Sequence, residues 1–145
     1  MSSVYISLGS NLGNREQYLR LAKEAIGKKI GNIVVESSIY KSKAIDFEGN
    51  DFYNQVVKIE TLLTPDFLLQ KTQEIEKNLG RKKKTVIKKG KPVYSNRIID
   101  IDILLYDDLQ IDTEILKIPH PKMYEREFVR LPLAEIQNDK EIVTT

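Results

Sequence analysis

The sequence predicts an α+β fold in which helices cover a mainly antiparallel β-sheet. Two helical runs separate several short β-rich runs, in the order strand, helix, strand, strand, helix, loop, strand. The chain has 145 residues, the length of one ordinary domain, and contains no internal repeat or linker. We therefore expect a single domain spanning residues 1–145 with its own hydrophobic core.

The first strand and the first helix are signalled by local patterns. Residues 4–8 form a short apolar, β-branched run that is broken at Gly9. Asn14 followed by Gln17 is typical of a helix N-cap with a reciprocal partner. Apolar residues then recur at helical spacing as far as Gly27, which predicts the first helix.

Two strands and a second helix are predicted next. Residues 33–40 and 52–61 are rich in β-branched and aromatic side chains, and the polar stretch between them predicts a long loop. Thr64 followed by Pro65 is typical of an N-cap and a first helical position, and Gly80 is a stop signal.

The second half of the chain begins with a basic loop. Residues 97–106 form an apolar run that predicts a central strand, and residues 109–118 predict a further extended segment. Residues 122–137 predict short helical pieces interrupted at Pro132. Together these elements indicate an α+β sandwich of ferredoxin-like type.

Composition limits the class of protein and the kinds of chemical site that the chain can form. The chain is 41% hydrophobic and 30% charged, which is typical of a globular protein that does not span a membrane. No secretory signal is recognisable at its start, so we expect a cytoplasmic protein. It contains no cysteine, which excludes disulfides and thiolate chemistry and leaves an oxygen-liganded metal as the simplest metal.

Positive charge is concentrated in one segment. The net charge is +2, but residues 81–91 (RKKKTVIKKGK) carry seven basic residues and no acid. This segment predicts a polyanionic ligand such as a phosphate, although a solvated surface loop would have the same composition. We expect residues 81–96 to act as a lid, mobile when empty, because like charges repel until a polyanion draws them together.

Asp100 and Asp102 are the sharpest chemical feature. Alternation along a strand places both carboxylates on one face, with their α-carbons about 6.6 Å apart. Two ionised acids at that separation repel by roughly 2.5 kcal/mol at an effective dielectric of 20. One or two magnesium ions bridging to phosphate would neutralise them, whereas a solvated acidic face is the alternative.

Basic residues near the acid pair favour a metal–polyphosphate site. Arg81, Arg97, His120 and Arg126 lie in segments that could converge on the same face. The sequence contains neither a Walker loop nor a GxGxxG motif, so the familiar glycine cradle is not the phosphate site.

Five motifs in order resemble the 6-hydroxymethyl-7,8-dihydropterin pyrophosphokinase family. They are GSNLG at 9–13, SSIY at 37–40, FYNQVV at 52–57, R-x-x-D-x-D-x-L at 97–104 and PHPKMYEREFVRLPL at 119–133. The resemblance covers residues 4 to about 136. It implies transfer of pyrophosphate from ATP to the reduced pterin in folate biosynthesis.

The resemblance also implies the ATP and metal residues. Asp100 and Asp102 match the aspartate pair that holds two magnesium ions against the ATP phosphates. Arg81 and Arg97 match arginines that contact the phosphates and assist transfer. The other ATP-binding positions implied are Gln73, Glu76, Tyr94, Ile103, Lys117, His120 and Arg126.

A pterin pocket is implied as well. Phe52 and Phe128 match its aromatic residues, and Asn54 matches an amide that pairs with the pterin edge. Ser42 and Ala44 complete the set through backbone groups. A flat heterocycle with polar edges requires this combination of rings and an amide.

The sequence departs from the family pattern at several positions, two of which affect predicted ATP-binding residues. Residues 81–97 form a longer, lysine-rich segment in which Tyr94 takes the aromatic position. Ile115 stands where some members have arginine, so the nucleotide contact there either passes to Lys117 or is lost.

Two other classes of function remain open at this stage. One is an RNA-binding module, although paired acids on a strand face oppose RNA and the aromatic RNA-binding signature is absent. The other is a non-catalytic relative. As an enzyme, the protein is expected to be a monomer with ATP and the pterin as partners and without nucleic acid or membrane.

Overall fold

The computed structural model describes residues 1–42, 51–80, 85–88, 91–94 and 98–144, with only the backbone of 85–88, 91–94 and 138–144. Its elements are β1 (Ser2–Ser10), α1 (Arg15–Lys29), β2 (Gly31–Glu36), β3 (Tyr40–Ser42), β4 (Phe52–Thr61), α2 (Pro65–Asn78), β5 (Thr85–Lys88), β6 (Lys91–Tyr94), β7 (Asp100–Tyr106), β8 (Ile111–Asp112), β9 (Lys117–Ile118) and α3 (Glu127–Thr144).

The main sheet is antiparallel at every pairing described. Its strand order is β2-β4-β1-β7, and the short strand β3 pairs with the start of β4. In this register Gly9 of β1 is paired with Asn54 of β4 on one side and with Asp100 of β7 on the other. The pairing brings together residues that are far apart in sequence.

Helices cover both faces of this sheet. On one face, apolar residues of α1 and α2 pack against β1, β4 and β7 in a core that includes Ile6, Leu8 and Ile101. On the other face, α3 packs through Val129 and Leu133 against a smaller apolar cluster. The predicted α+β class, with helices over an antiparallel sheet, is confirmed.

The helix starts follow the predicted signals. The side chain of Asn14 accepts a hydrogen bond from the backbone N–H of Gln17 at 3.1 Å, which makes Asn14 the N-cap of α1. Helix α1 continues past Gly27 to Lys29. Helix α2 begins at Pro65 as predicted, but Thr64 makes no side-chain capping hydrogen bond.

The prediction that residues 97–106 form a central strand is wrong. Strand β7 spans Asp100–Tyr106 and ends the described sheet. Its apolar composition reflects burial by neighbouring elements. The Glu76 carboxylate accepts from the Ile101 N–H at 2.8 Å, and the Leu104 carbonyl accepts from the His120 N–H at 2.9 Å, so these edge groups are satisfied without a further strand.

Four other expectations are corrected. The predicted strand 33–40 is divided between β2 and β3. Residues 109–118 contain a small hairpin, β8 paired with β9, and the expected basic loop includes the β5–β6 hairpin. Pro132 lies inside α3 and does not divide it, because a proline near the helix start removes one backbone hydrogen bond while the apolar face remains packed.

Within the described part of the chain, no helix combines the length and apolar character needed to cross a membrane.

Candidate active site

Two rows of paired residues define one face of the sheet. Asn54, Gly9 and Asp100 form one row across β4, β1 and β7. Val56, Ser7 and Asp102 form the next row. Paired residues project to the same face, so the acid pair and the Asn54 amide share a surface, separated by one intervening strand or about 10 Å.

The alternation predicted for β7 is confirmed by burial. Ile99, Ile101 and Ile103 are buried in the core beneath α1 and α2. Asp100 and Asp102 are half-buried on the opposite side. Their carboxylates are therefore oriented by the apolar alternation of the strand itself.

Gly9 lies at the centre of this face, where neighbouring side chains approach the backbone closely. A Cβ atom at position 9 would lie 3.2 Å from Oδ1 of Asn54 and 3.8 Å from Cδ1 of Phe52. The absence of a side chain therefore lets the Asn54 amide and the Phe52 ring approach the β1 backbone. A glycine inside a strand commonly marks such a close approach.

The side-chain amide of Asn54 is hydrogen-bonded to strand β3. Its Nδ2 group donates to Oγ of Ser42 at 2.8 Å and to the carbonyl of Tyr40 at 3.2 Å. Asn54 is 3% exposed, so these bonds lie in a sheltered setting in which they restrict the amide strongly.

The segment leading into α3 brings basic and aromatic groups to the same face. The Arg126 guanidinium carbon lies 5.9 Å from the centre of the Phe128 ring. Phe128 packs against the cluster beneath α3. Burial and the Arg126 charge lower the pKa of the half-buried His120 below its usual value, and the Asp100 carboxylate opposes that shift.

The orientation of the His120 ring follows from its hydrogen bond. Nδ1 accepts from the backbone N–H of Lys122 at 3.2 Å. In the neutral ring the proton is therefore on Nε2, which can donate to an anion.

A cleft runs along the outer edge of β7, between α2 and the β8–β9 hairpin. It is lined by Leu69, Gln73, Glu76, Ile101, Asp102, Ile103, Glu114, Ile115, Leu116, Lys117, His120 and Pro121. Six of these were predicted from the sequence as ATP-binding or metal residues: Gln73, Glu76, Asp102, Ile103, Lys117 and His120. The cleft joins the acid pair at Asp102, and a polar groove beside carboxylates and a histidine is suited to a metal-bound polyphosphate.

Comparison with known proteins connects this geometry to a family. The sequence profile of the family described as 7,8-dihydro-6-hydroxymethylpterin-pyrophosphokinase (HPPK) matches residues 5–138. The chain belongs to the HPPK family.

Individual relatives agree with this assignment. The 2-amino-4-hydroxy-6-hydroxymethyldihydropteridine pyrophosphokinase of Porphyromonas gingivalis is 40% identical over 138 residues, covering 94% of this chain and 91% of the relative. The protein of the same name from Bacillus subtilis is 44% identical over 134 residues, covering 91% of this chain and 76% of the relative.

A solved structure supports the fold. Plasmodium falciparum HPPK-DHPS with SDX-DHP superposes with a TM-score of 0.70 at 16% identity. The match covers 92% of this chain but 40% of the solved chain, so this HPPK chain spans less than half of that protein.

Some predicted HPPK site residues lie outside the described residues. They are Arg81, Arg97 and Ala44, and the side chain of Tyr94 is likewise not described. The roles predicted for these residues, and the predicted lid over 81–96, stay predictions.

Two predicted nucleotide residues have protein partners. Glu76 is buried and accepts from the Ile101 N–H, so its carboxylate secures the edge of β7. Lys117 forms an exposed ion pair with Asp112, with 2.5 Å between Nζ and Oδ1. A nucleotide contact by Lys117 would therefore compete with this weak surface pair.

Sequence reasoning missed the residues that support the Asn54 end of the face. Gly9 was interpreted as the end of a strand and part of a motif, and Tyr40 as part of a strand and a motif, so neither was predicted as a site residue. Arg15 was not singled out, although it donates to the carbonyl of Asp51 at 2.7 Å and lies 4.5 Å from the ring centre of Tyr53. The glycine inside an otherwise apolar strand was the available signal.

Proposed function

We propose that this HPPK chain transfers pyrophosphate from ATP to 6-hydroxymethyl-7,8-dihydropterin, releasing AMP, in folate biosynthesis. The observation that carries the proposal is the row Asn54–Gly9–Asp100. It places an amide suited to a heterocycle edge beside a carboxylate pair suited to a metal–phosphate complex, on one face of one sheet.

The pterin side of the site is formed where β3 and β4 meet. Phe52 and Phe128 provide aromatic surface, and Asn54 provides an amide with both donor and acceptor groups. Ser42 already accepts from the Asn54 amide, and Ala44 completes the predicted set. A reduced pterin over Gly9 would direct its hydroxymethyl group toward the acid pair, because the row continues to Asp100.

The ATP side is the cleft along β7. Gln73, Ile103 and His120 line it, and the neutral His120 ring presents an Nε2 donor. Arg126, whose charge acts on His120, adds a guanidinium to this side, and Arg81, Arg97 and Tyr94 complete the proposed set. An arginine fork matches phosphate oxygens and favours anion binding there.

The residues present fit magnesium. Among the described residues no group of three or more His, Cys, Asp or Glu is arranged to hold a metal. Magnesium in nucleotide enzymes commonly uses one or two carboxylates together with phosphates and water, so Asp100 and Asp102 suffice for two ions. When bound, the metal would neutralise charge on the polyphosphate.

Catalysis on this proposal is mainly positioning and electrostatic stabilisation. The pterin hydroxymethyl oxygen forms a bond to the β-phosphorus, while the bond from that phosphorus to the oxygen of the α-phosphate breaks and AMP departs. The proton of the attacking hydroxyl is released to water in the net reaction. Phe52, Phe128 and Asn54 orient the attacking group. Arg126 and His120 stabilise negative charge on the transferred group, in a site partly sheltered by α3.

The fold type, the oligomeric state and the cellular location are further proposals. The element order and the strand order β2-β4-β1-β7 support a ferredoxin-like sandwich. A single domain over 1–145, a monomer without nucleic acid or membrane partners, and a cytoplasmic location stay predictions from the sequence.

The test is an assay for AMP. Purified protein is mixed with ATP, magnesium and the reduced pterin, and AMP should form in equal amount to pterin diphosphate. Reactions without pterin and with Asp102→Asn serve as controls and should yield little AMP. Formation of ADP, or failure to form AMP in every condition, would refute the proposal. RNA that binds this face and is displaced by ATP would favour the nucleic-acid alternative.

A further inference from the structure

The SSIY motif at 37–40 lies at the interruption between β2 and β3. The N–H of Ser37 donates to the Val56 carbonyl at 2.9 Å, and the Val56 N–H donates to Oγ of Ser37 at 3.0 Å. The Ser37 hydroxyl thus takes the place of a strand acceptor. The chain is anchored to β4 at this point while it changes direction into β3.

A single carboxylate from α3 holds the rest of the motif. Oε2 of Glu135 accepts from the backbone N–H of Ser38 at 2.9 Å and from its Oγ at 3.2 Å. Oε1 accepts from the Tyr40 hydroxyl at 3.1 Å. Charged acceptors form stronger hydrogen bonds than neutral ones, so Glu135 fixes the position of β3 relative to α3.

Strand β3 in turn fixes the Asn54 amide. Both close acceptors of Asn54 Nδ2, the Tyr40 carbonyl and Ser42 Oγ, belong to β3. With Nδ2 facing β3, Oδ1 faces the space above Gly9. A shift of β3 would therefore reorient the amide.

We propose that Glu135 is a positioning residue for the pterin pocket, acting through Ser38 and Tyr40 on β3 and through β3 on the Asn54 amide. The inference rests on the proposed function, because it assumes that the Asn54 amide meets the pterin. Glu135 itself lies one element away from the proposed contact and is not a catalytic residue.

A purely structural role for Glu135 makes a different prediction. A carboxylate that only fastens α3 to the sheet would lower stability on removal, with equal effects on both substrates. A positioning role predicts unequal effects on the two substrates. The KM for the pterin should rise while the KM for ATP is preserved, because the β7 cleft contains none of these hydrogen bonds.

Three variants disturb the Glu135 hydrogen bonds to different extents. Glu135→Ala removes all three bonds and should raise the pterin KM about tenfold, with the ATP KM changed less than about twofold. Tyr40→Phe removes one bond and should raise the pterin KM a few-fold. Glu135→Gln keeps the shape and an acceptor oxygen, so it should restore most of the affinity.

Thr61→Val is the matched control for lost stability. Thr61 is buried at the opposite end of β4, where its Oγ1 donates to the Ile30 carbonyl at 2.6 Å and accepts from the Leu63 N–H at 3.1 Å. The variant should lower Tm as Glu135→Ala does, yet leave the pterin KM unchanged. A pterin KM that is unchanged in Glu135→Ala, or equally raised in Thr61→Val, would overturn the inference.

An activity-independent measurement separates this inference from the proposed function. The side-chain amide signals of Asn54 in ¹⁵N NMR spectra of the ligand-free protein should shift in Glu135→Ala and Tyr40→Phe but not in Thr61→Val. Unmoved signals overturn the inference even if the wild type makes AMP. Wild-type protein without pterin-dependent AMP formation refutes the proposed function, whatever the amide signals show.

Discussion

Replacing Gly9 by alanine tests the central geometry of the site. Gly9 does not have the positive φ of Gly13 (68°) or Gly80 (102°), so alanine is compatible with its backbone. The added Cβ would lie 3.2 Å from Oδ1 of Asn54, closer than ordinary contact. The substitution thus acts on one amide without distorting the strand.

The expected change in stability depends on how firmly the Asn54 amide is held. The Asn54 side chain cannot move away easily, because Nδ2 is bonded to Ser42 Oγ at 2.8 Å and to the Tyr40 carbonyl at 3.2 Å. An off-rotamer shift costs roughly 0.5–1.5 kcal/mol. Alanine also reduces the conformational freedom of the unfolded chain, which stabilises the folded protein by about 0.4–1 kcal/mol. Stability should therefore change by less than about 1 kcal/mol.

Pterin binding should respond more strongly than stability. A displaced amide loses one or two hydrogen bonds to the ligand edge, which corresponds to about a tenfold weaker affinity. Calorimetry with the reduced pterin and with an ATP analogue should show weakening for the pterin alone. Gly27→Ala is the matched control, because nothing lies within 4 Å of its added Cβ. Wild-type pterin affinity in Gly9→Ala would refute the reasoning.

The remaining predictions concern the metal, the amide and the β3 anchor. Asp100→Asn and Asp102→Asn should each lower turnover at least about a hundredfold with the fold retained, and near-normal rates in both would exclude a metal role. Asn54→Ala should weaken pterin binding about tenfold while ATP-analogue binding is preserved, and the opposite selectivity in calorimetry would show that the pocket is misassigned. Burial, followed by the hydrogen bond to Glu135, raises the pKa of Tyr40 above 10.0. The neutral hydroxyl therefore contributes stability below that pH and loses it as pH rises through the raised pKa, so Tyr40→Phe should reduce the fall in denaturant-measured stability as the pH rises above 10.0.

Local signals were sufficient for α1, α2 and β4. The run 52–61 coincides with β4, and the Asn14 cap and the Pro65 start place both early helices correctly. Strand alternation, helical spacing and capping each depend on a few neighbouring residues, so they can be recognised from the sequence alone. The acid pair of β7 was predictable for the same reason, because its one-face placement depends only on period two.

Predictions failed where a distant partner decided the outcome. An apolar run looks the same in a central strand and in an edge strand covered by other elements, and only the positions of Glu76 and His120 show that β7 is the latter. Pro132 was read as a helix break, but packing of Val129 and Leu133 against the sheet keeps α3 continuous.

The sequence by itself determined helices α1 and α2, strand β4, the orientation of Asp100 and Asp102 and, through its motifs, the family. Only the tertiary structure decided which of these residues meet. The row from Asn54 to Asp100 depends on strand pairing, and the carboxylate of Glu135 reaches Tyr40 across 95 positions of sequence. Contacts between distant positions arise from the packing of α3 and the register of the sheet, which no spacing within a short segment encodes.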